Sequence, residues 1–253
     1  MNEQRSYDIK EAARHVGVPA STLRYWESKG LIRAGRNPEN DYRRYSLHDL
    51  IEASEIAFYR KLNVPVKELE SYPALSAHEL DNALARTETD IEHRIAELEA
   101  TRTRLAQQRA LNAQAERLRN ADMQPKAPRI TTLHAVDHDS PELWKVLAEE
   151  PWRYGVFIDA VCPDEVKEAI VDAQTPAASP LWQRTRTDNA RTCRECLLKL
   201  SPTLDAGNVE SLFEQMQASG LEPICIVGSY LLTASEGKDR WDYYHAWAIG
   251  RSR

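Results

Sequence analysis

From residue 78 to residue 119 the chain runs for 42 residues without a glycine or a proline. Those two residues punctuate turns, so a stretch lacking both has little choice but to continue as helix. Within it Leu84, Ile91, Leu98 and Leu105 recur every seven residues with charged or polar residues between. That is the pattern of a coiled-coil seam. The second seam position runs Thr87 or Glu88, then Ile95, then Arg102. It is too polar for a long parallel zipper and fits a short or antiparallel pairing. A continuous helix of this length would reach about 60 Å at 1.5 Å per residue. It is too exposed to exist alone, so a second copy in a homodimer is expected, with Leu84, Ile91, Leu98 and Leu105 as its dimerisation residues.

The texture differs on the two sides of this rod. Pro125 and Pro128 end the helix and open a linker. Four parts are expected: 1–75, a helical 76–121, a linker 122–129, and a mixed α and β domain over 130–253. Hydrophobic residues make up 42 % of the chain, enough for packed cores. No apolar run approaches the roughly 20 residues of a membrane helix. The opening MNEQRSYDIKEAARHV lacks the apolar core of a secretory signal. Four cysteines make no disulfide scaffold. A cytoplasmic protein with no membrane partner is expected.

The net charge of −6 argues against nucleic acid only if it is evenly spread. Residues 1–70 carry twelve basic against eleven acidic side chains, and residues 127–253 carry thirteen against nineteen. All the excess acid lies in the C-terminal half. Arg33, Arg36, Arg43 and Arg44 fall within twelve positions. A locally basic face of this kind can bind phosphates on an acidic protein.

The segment around these arginines predicts a helix-turn-helix. Helix one spans about Ile9–His15, with Ala12, Ala13 and Val16 inward, and Gly17 makes the turn. Pro19 sits near the start of helix two, where its missing N–H costs little. Helix two runs Ser21–Lys29, with Leu23 inward and Arg24, Tyr25 and Lys29 free, and Gly30 ends it. Leu31–Arg33 and Tyr42–Tyr45 flank Ala34–Asp41, a stretch of hairpin composition carrying Arg36, Arg43 and Arg44. Ser46 with Asp49 three residues on opens a third helix through Leu62. The second helix of such a unit enters the major groove, and a basic hairpin beside it suits the phosphate backbone.

YDIKEAARHVGV, STLRYWESKGLIR and YRRYS, followed by a helix and Val66–Leu69, resemble the N-terminal domain of MerR-family transcription regulators over about residues 7–70. The order and spacing of TLRYWE, GLI and YRRY carry the resemblance. Helix 78–119 is similar to the antiparallel dimerisation helix of that family. The resemblance implies a dimer on double-stranded promoter DNA whose spacer is too long for polymerase. An effector in the C-terminal domain would then shift the dimer to a form that bends and underwinds the spacer for RNA polymerase holoenzyme. By matching positions it implies DNA contacts at Arg24 and Tyr25 in helix two and at Tyr42 and Arg43 in the wing. Arg14, Arg44 and Lys61 join them from charge and expected placement.

In the C-terminal domain, strands are expected at Ile130–Val136, Tyr154–Val161, Arg194–Leu200, Pro223–Ser235 and Tyr243–Ile249. Helices are expected at Pro141–Glu149 and Asn208–Ser219, the latter closed by Gly220, and a loop at Asp172–Ser179. Metal-sensing members of the family hold cysteines at the end of the long helix, and residues 78–125 contain none. Cys193 and Cys196 form a lone CxxC whose side chains point to opposite faces of a strand, and Cys162 and Cys225 sit in apolar runs. No metal and no cofactor are expected.

The aromatic residues say more. Five of the six tryptophans follow residue 140. Alternation places Tyr243, His245, Trp247 and Ile249 on one face of the last strand and Tyr244, Ala246 and Ala248 on the other. The small-residue face suits packing on helices, leaving the aromatic face to line a concavity. Trp144, Tyr154, Asp159, Trp182, Tyr230, Tyr243, His245 and Trp247 are the expected ligand-binding residues. Glu195 and Asp242 are further carboxylates near these strands. Aromatic walls in an acidic domain favour a small aromatic or cationic effector. The element order loosely resembles GyrI-like effector-binding domains, which pair two βαββ units around a ligand groove. The expected function is a dimeric, effector-responsive regulator, an activator of multidrug type; a repressor of the same fold is an alternative. A hydrolase of GyrI-like type fused to a DNA-binding domain, or a ligand-free architectural DNA binder, are others. No residue stands out as catalytic, because no Ser-His-Asp, paired-carboxylate or Gly-rich phosphate motif appears.

Overall fold

The computed structural model describes residues 6–70, 75–172 and 179–252. The chain forms two compact units, residues 1–101 and 102–253, which share one helix. Among the described residues no helix is long and apolar enough to cross a membrane. The loop expected at Asp172–Ser179 falls almost wholly outside the described residues.

In the first unit, α1 (Ile9–Val16) starts at Asp8, whose carboxylate accepts from the Lys10 and Glu11 amides while Glu11 reaches back to the Asp8 amide. Such a capping box fixes where a helix begins. Gly17, at φ 76°, ends it in the left-handed conformation that a glycine adopts without strain. Helix α2 (Ala20–Ser28) follows at Pro19 and buries Leu23 and Trp26. A two-stranded hairpin comes next, β1 (Gly35–Arg36) on β2 (Arg43–Arg44), with Arg36 opposite Arg43. The hairpin is shorter than expected. Leu31 and Ile32 are not in its first arm but buried in the core beside Leu23 and Trp26. Helix α3 (Leu47–Lys61) opens on a second capping box, Ser46 with Asp49, and α4 (Val66–Leu69) closes the unit.

The shared helix, α5 (Ala77–Arg119), has three zones set by what it touches. At its start Ala83 and Thr87 are buried and Leu84 packs on the core of the first unit. Leu84 is therefore not a free seam residue, contrary to the heptad expectation, because that core needs a lid. Further on, Ile91, Ile95, Leu98 and Leu105 are between 40 % and 61 % exposed. At its end Leu111, Ala115 and Leu118 pack on the sheet of the second unit through Leu231, Leu197 and Leu232.

The second unit is an eight-stranded antiparallel sheet. In chain order its strands are β3 (Gln124–Pro125), β4 (Thr132–Ala135), β5 (Tyr154–Asp159), β6 (Val166–Val171), β7 (Trp182–Gln183), β8 (Cys193–Leu200), β9 (Leu221–Glu236) and β10 (Asp239–Ser252). In space the order is β3-β8-β10-β9-β5-β6-β4-β7. With α6 (Pro141–Glu149) and α7 (Val209–Ala218), this is a βαββ unit used twice, the two central strands β5 and β9 pairing where the halves meet. At that seam Gly155 faces Gly228 so closely that a Cβ on Gly155 would lie 2.6 Å from the Gly228 carbonyl oxygen. Strand β6 was not expected from sequence, since Lys167, Glu168 and Ala169 favour helix. Residues 122–129, read from their prolines as a linker, supply β3, which pairs with Glu195 and Arg194 of β8.

Both faces of the sheet are covered. Tyr244, Ala246 and Ala248 meet Val209, Leu212, Phe213 and Met216 of α7, as the small-residue face requires. On the other face Trp247 and Ile249 pack with Ile130, Leu133, Val171 and Trp182. There the end of α5 covers His245. Gln114 donates its side-chain amide to His245 Nδ1, which leaves Nε2–H to donate to Glu195 Oε1 at 2.7 Å. Glu195 is 2 % exposed and also takes Lys126 Nζ at 2.6 Å and Arg117 at 3.4 Å.

Burial pushes the His245 imidazole down to about 4, against the pull of Glu195. Burial opposes ionisation of Glu195 too, but Lys126 and His245 more than offset it and hold its carboxyl below the usual range. Unfolded, the imidazole binds a proton near 6.5. Between those values the unfolded chain holds more protons, so this contribution to stability is full above pH 6.5 and drains away toward pH 4. Ionised Glu195 adds a loss in the same direction at lower pH. Urea midpoints measured from pH 7 to pH 4.5 are expected to fall steadily, and His245→Gln to flatten that decline. A wild-type midpoint independent of pH would contradict the buried neutral imidazole.

Candidate nucleic-acid interface and aromatic site

Burying Leu23 and Trp26 turns the next residues of α2 outward by helical geometry. Arg24 is exposed and Tyr25 is 46 % exposed. A cleft lies on each side of this ridge. One, of about 320 Å³, is lined by Arg24, Tyr42, Arg43, Arg36, Lys10 and Asp8 among others. The second, of about 340 Å³, brings Tyr25 beside Lys61, Arg60 and Thr22. Five of the seven expected DNA contacts thus line the flanks of α2. Arg14 is exposed on α1 and Arg44 half-buried on β2, both outside these clefts.

Sequence reasoning missed Glu27. About one helical turn beyond Arg24, its carboxylate takes Arg43 Nε and, at 3.3 Å, Arg36. This raises the Arg43 guanidinium further above its ordinary value. Glu27 ties the hairpin to α2 and orders two arginines whose like charges, opposite one another in the register, would otherwise repel. Tyr42, 72 % exposed, stands beyond them. The signal was there: an acid three residues after Arg24, one turn along the same side of α2.

The structure splits the expected ligand residues into two groups. Tyr243, His245 and Trp247 are 1 %, 5 % and 1 % exposed. Alternation assigned them correctly to one face, but the end of α5 and the segments around Ile130 and Trp182 cover it. Only Tyr243 reaches a cleft, one of about 240 Å³ that it shares with Arg119, Lys199 and Glu236. Arg119 already sits over the Tyr243 ring, 4.9 Å from its centroid. Trp182 packs in the same layer. Asp159 is spent on a turn, accepting from the Val161 amide at 2.9 Å.

Tyr154 and Tyr230 converge on the opposite face around Tyr244, their ring centroids 6.3 and 5.9 Å from its own. Two carboxylates attend them. Glu168, on the unforeseen β6, accepts from the Tyr154 hydroxyl at 2.6 Å. Its other oxygen lies 3.2 Å from His138 Nε2, and His138 packs on Trp144 of α6. Asp242 accepts from Thr233, whose hydroxyl lies 2.7 Å from that of Tyr230. Burial and Glu168 together raise the Tyr154 phenol, and burial first, then Asp242, raises that of Tyr244. The Tyr244 hydroxyl is fully buried, close to that of Tyr154 but without a well-formed hydrogen bond, whereas such groups are nearly always well paired. Helix α6 buries none of its residues, although Leu143, Val146 and Leu147 are apolar, and Trp144 is 52 % exposed. Aromatic rings, two carboxylates and a buried hydroxyl, linked to α6 through His138 and Trp144, can hold an aromatic cation.

Among the described residues no group of three or more His, Cys, Asp or Glu side chains is placed to hold a metal ion. Cys193 and Cys196 are buried on opposite faces of β8, and burial raises both thiols, that of Cys196 to about 12. Cys162 is exposed in the turn after β5, not in an apolar run.

A short helix, a glycine turn, a second helix with Arg24 and Tyr25 outward and a basic hairpin define a winged helix-turn-helix. The family model described as MerR family regulatory protein matches residues 8–45. The N-terminal unit therefore carries a MerR-family helix-turn-helix domain. Among curated relatives, the HTH-type transcriptional regulator SkgA of Caulobacter vibrioides is 33 % identical over 65 residues, 26 % of each chain. The HTH-type transcriptional activator TipA of Streptomyces coelicolor is 34 % identical over 64 residues, 25 % of each. The chain spans about a quarter of the relatives it matches. The EcmrR–DNA complex in EcmrR-RPo covers 98 % of this chain and 100 % of its own at 13 % identity. Its TM-score of 0.37 is too loose a likeness to bear on this chain.

Glu27→Gln keeps the shape of the side chain and removes its charge. Such partly exposed pairs contribute roughly 1 kcal/mol or less, about a fivefold change in opening. Amide exchange over residues 35–44 should rise a few-fold while that of α1 and α3 stays put. Unchanged exchange in the hairpin would show that Glu27 does not anchor it.

Proposed function

We propose that the chain is a homodimeric, effector-responsive transcription regulator that grips double-stranded promoter DNA through α2 and the hairpin. The observation that carries this is the outward ridge of α2, Arg24 and Tyr25, between two clefts that hold Tyr42, Arg43 and Lys61. Base-edge contacts fall to Arg24 and Tyr25, and phosphate contacts to Arg43 and its neighbours. Ile91, Ile95, Leu98 and Leu105 are too apolar to stand in water as a stripe, which supports pairing of α5 with a second copy. Two recognition units on one duplex supply the binding energy that bending and underwinding a promoter requires. RNA polymerase holoenzyme is then the partner that uses the deformed promoter, and SkgA and TipA, named as transcription regulators, support that assignment.

Selection from a random duplex pool, followed by binding titrations across salt, tests the DNA part. Arg43→Ala should weaken every duplex alike and reduce the salt slope by about 0.9. Arg24→Ala should cost roughly 1–3 kcal/mol on the selected sequence and blur the selection. No enrichment by the wild-type chain would sink the proposal.

The effector site proposed is the Tyr154–Tyr230–Tyr244 cluster with Glu168 and Asp242, and Trp144 at its rim. It replaces the buried Tyr243–His245–Trp247 face as the place where an aromatic cation would bind and bias the dimer between two states. Tetraphenylphosphonium should quench tryptophan fluorescence on titration. Glu168→Gln is expected to weaken that binding about tenfold, roughly 1.4 kcal/mol, and Asp159→Asn to leave it alone. Equal affinity in both variants would place the ligand elsewhere.

A further inference from the structure

The net charge of the second unit hides a patch of opposite sign. Two chain segments cross the sheet face opposite α7 side by side. One is 126–131, leading from β3 to β4; the other is 184–192, leading from β7 to β8. The Arg184 amide donates to the Thr131 carbonyl at 2.8 Å, and the Lys126 amide to Cys193 at 3.3 Å, so the two run alongside each other. Ile130 of the first segment turns down onto the sheet, and the second leads into the buried Cys193 of β8. What remains outward is arginine: Arg129, Arg184, Arg186 and Arg191 are exposed and Arg194 is half-buried beside them.

No carboxylate pairs with any of the five among the described residues. Three acids lie nearby, none in an ion pair with these arginines, and the first, Asp172, accepts from the Thr131 amide and hydroxyl at 2.9 and 2.6 Å. Asp188 is 9 % exposed and accepts from the Thr185 amide and hydroxyl at 2.7 and 3.0 Å. Glu195 is buried under Lys126, Arg117 and His245. Arg194 donates only to the carbonyls of Ala190, Arg191 and Cys193. The turn is also fixed in place, since Asn189 accepts from the Arg191 amide and donates to the carbonyls of Arg186 and Thr187. Five arginines are thus carried on a hydrogen-bonded backbone platform without an ion-pair partner, on a domain that is otherwise acidic.

The composition of the patch decides what it fits. No large exposed hydrophobic side chain lies in either segment. A protein interface needs an apolar or aromatic core, and a single-strand site needs exposed rings to stack bases. Neither is present. Forked donors with polar Thr185, Thr187 and Asn189 between them match phosphate oxygens. Contacts of duplex DNA with its binding proteins are polar, basic and largely to phosphate.

We propose that Arg129, Arg184, Arg186, Arg191 and Arg194 form a second DNA surface, for the phosphate backbone of duplex beyond the stretch gripped by α2 and the hairpin. This rests on the promoter-binding reading above. It predicts that affinity depends on DNA length outside the selected sequence. Full-length protein is titrated with a minimal selected duplex and with the same duplex extended by about two helical turns at each end (roughly 10 base pairs per turn). The titrations are repeated across salt for wild type, R184Q/R186Q/R191Q and R184E/R186E/R191E. Retained tetraphenylphosphonium binding or an unchanged circular dichroism spectrum shows that each variant is folded.

Wild type should bind the extended duplex more tightly, with a salt slope steeper by about 2 to 3, near 0.9 per phosphate contact. The glutamine variant should give equal slopes on the two duplexes, and the glutamate variant should bind the extended one worse than wild type. All three should bind the minimal duplex alike. An extension that adds nothing to wild-type binding overturns the proposal, as do variants that keep the length effect. Variants that keep it but lose polymerase-dependent transcription would assign the patch to an acidic protein instead. Failure on the minimal duplex overturns the promoter-binding reading and this proposal together; failure confined to the extension overturns this proposal alone.

Discussion

Burial of Leu23 and Trp26 is the constraint on which the first unit turns. Once these two side chains enter the core with Leu31, Ile32 and Tyr45, the 100° step of the helix leaves Arg24, Tyr25 and Glu27 on the outer stripe. Arg24 and Tyr25 stay free for a partner, while Glu27 reaches sideways to Arg36 and Arg43. The hairpin is two residues long on each side and could not hold itself in register on ladder hydrogen bonds alone. Its orientation comes from an ion pair with the helix it accompanies, so ridge and wing behave as one surface.

The second unit poses a different problem. An eight-stranded sheet has two faces, and in this chain both are closed, one by α7 and the other by the end of α5 with two crossing segments. The aromatic residues of β10 are therefore divided between two environments of opposite character. On the α5 side Tyr243, His245 and Trp247 are structural, and Glu195 there is neutralised by its own cations. On the α7 side Tyr244 is buried but its hydroxyl is left without a well-formed hydrogen bond, and two carboxylates stand close by.

Much of this was legible in advance. The capping residues Asp8 and Ser46, the turns at Gly17 and Gly220, and the inward positions Ala12, Ala13, Val16 and Leu23 could be read directly, since each depends on neighbours within a turn or two. The alternation along β10 was also readable. What it could not supply was coverage. Which face is open depends on α5 and on segments 126–131 and 184–192, more than fifty residues away in the chain. For the same reason Leu84 looked like a seam residue, although it is used up on the unit beneath it. Strand β6 escaped notice because its outward residues are helix formers, and Glu168 escaped with it.

The sequence by itself determined the local elements, the outward ridge of α2 and the apolar stripe of α5, because helical and strand periodicities are intrinsic to the chain. It also determined that acid and base are unevenly shared. Only the tertiary structure decided which acids count. Folding ties Asp188 and Glu195 into hydrogen bonds and leaves the arginines around them without an ion-pair partner. It sets Glu27 against the hairpin and Glu168 against Tyr154. A charge acts through what lies within a few ångströms of it, and that neighbourhood is assembled from parts of the chain that no local pattern relates.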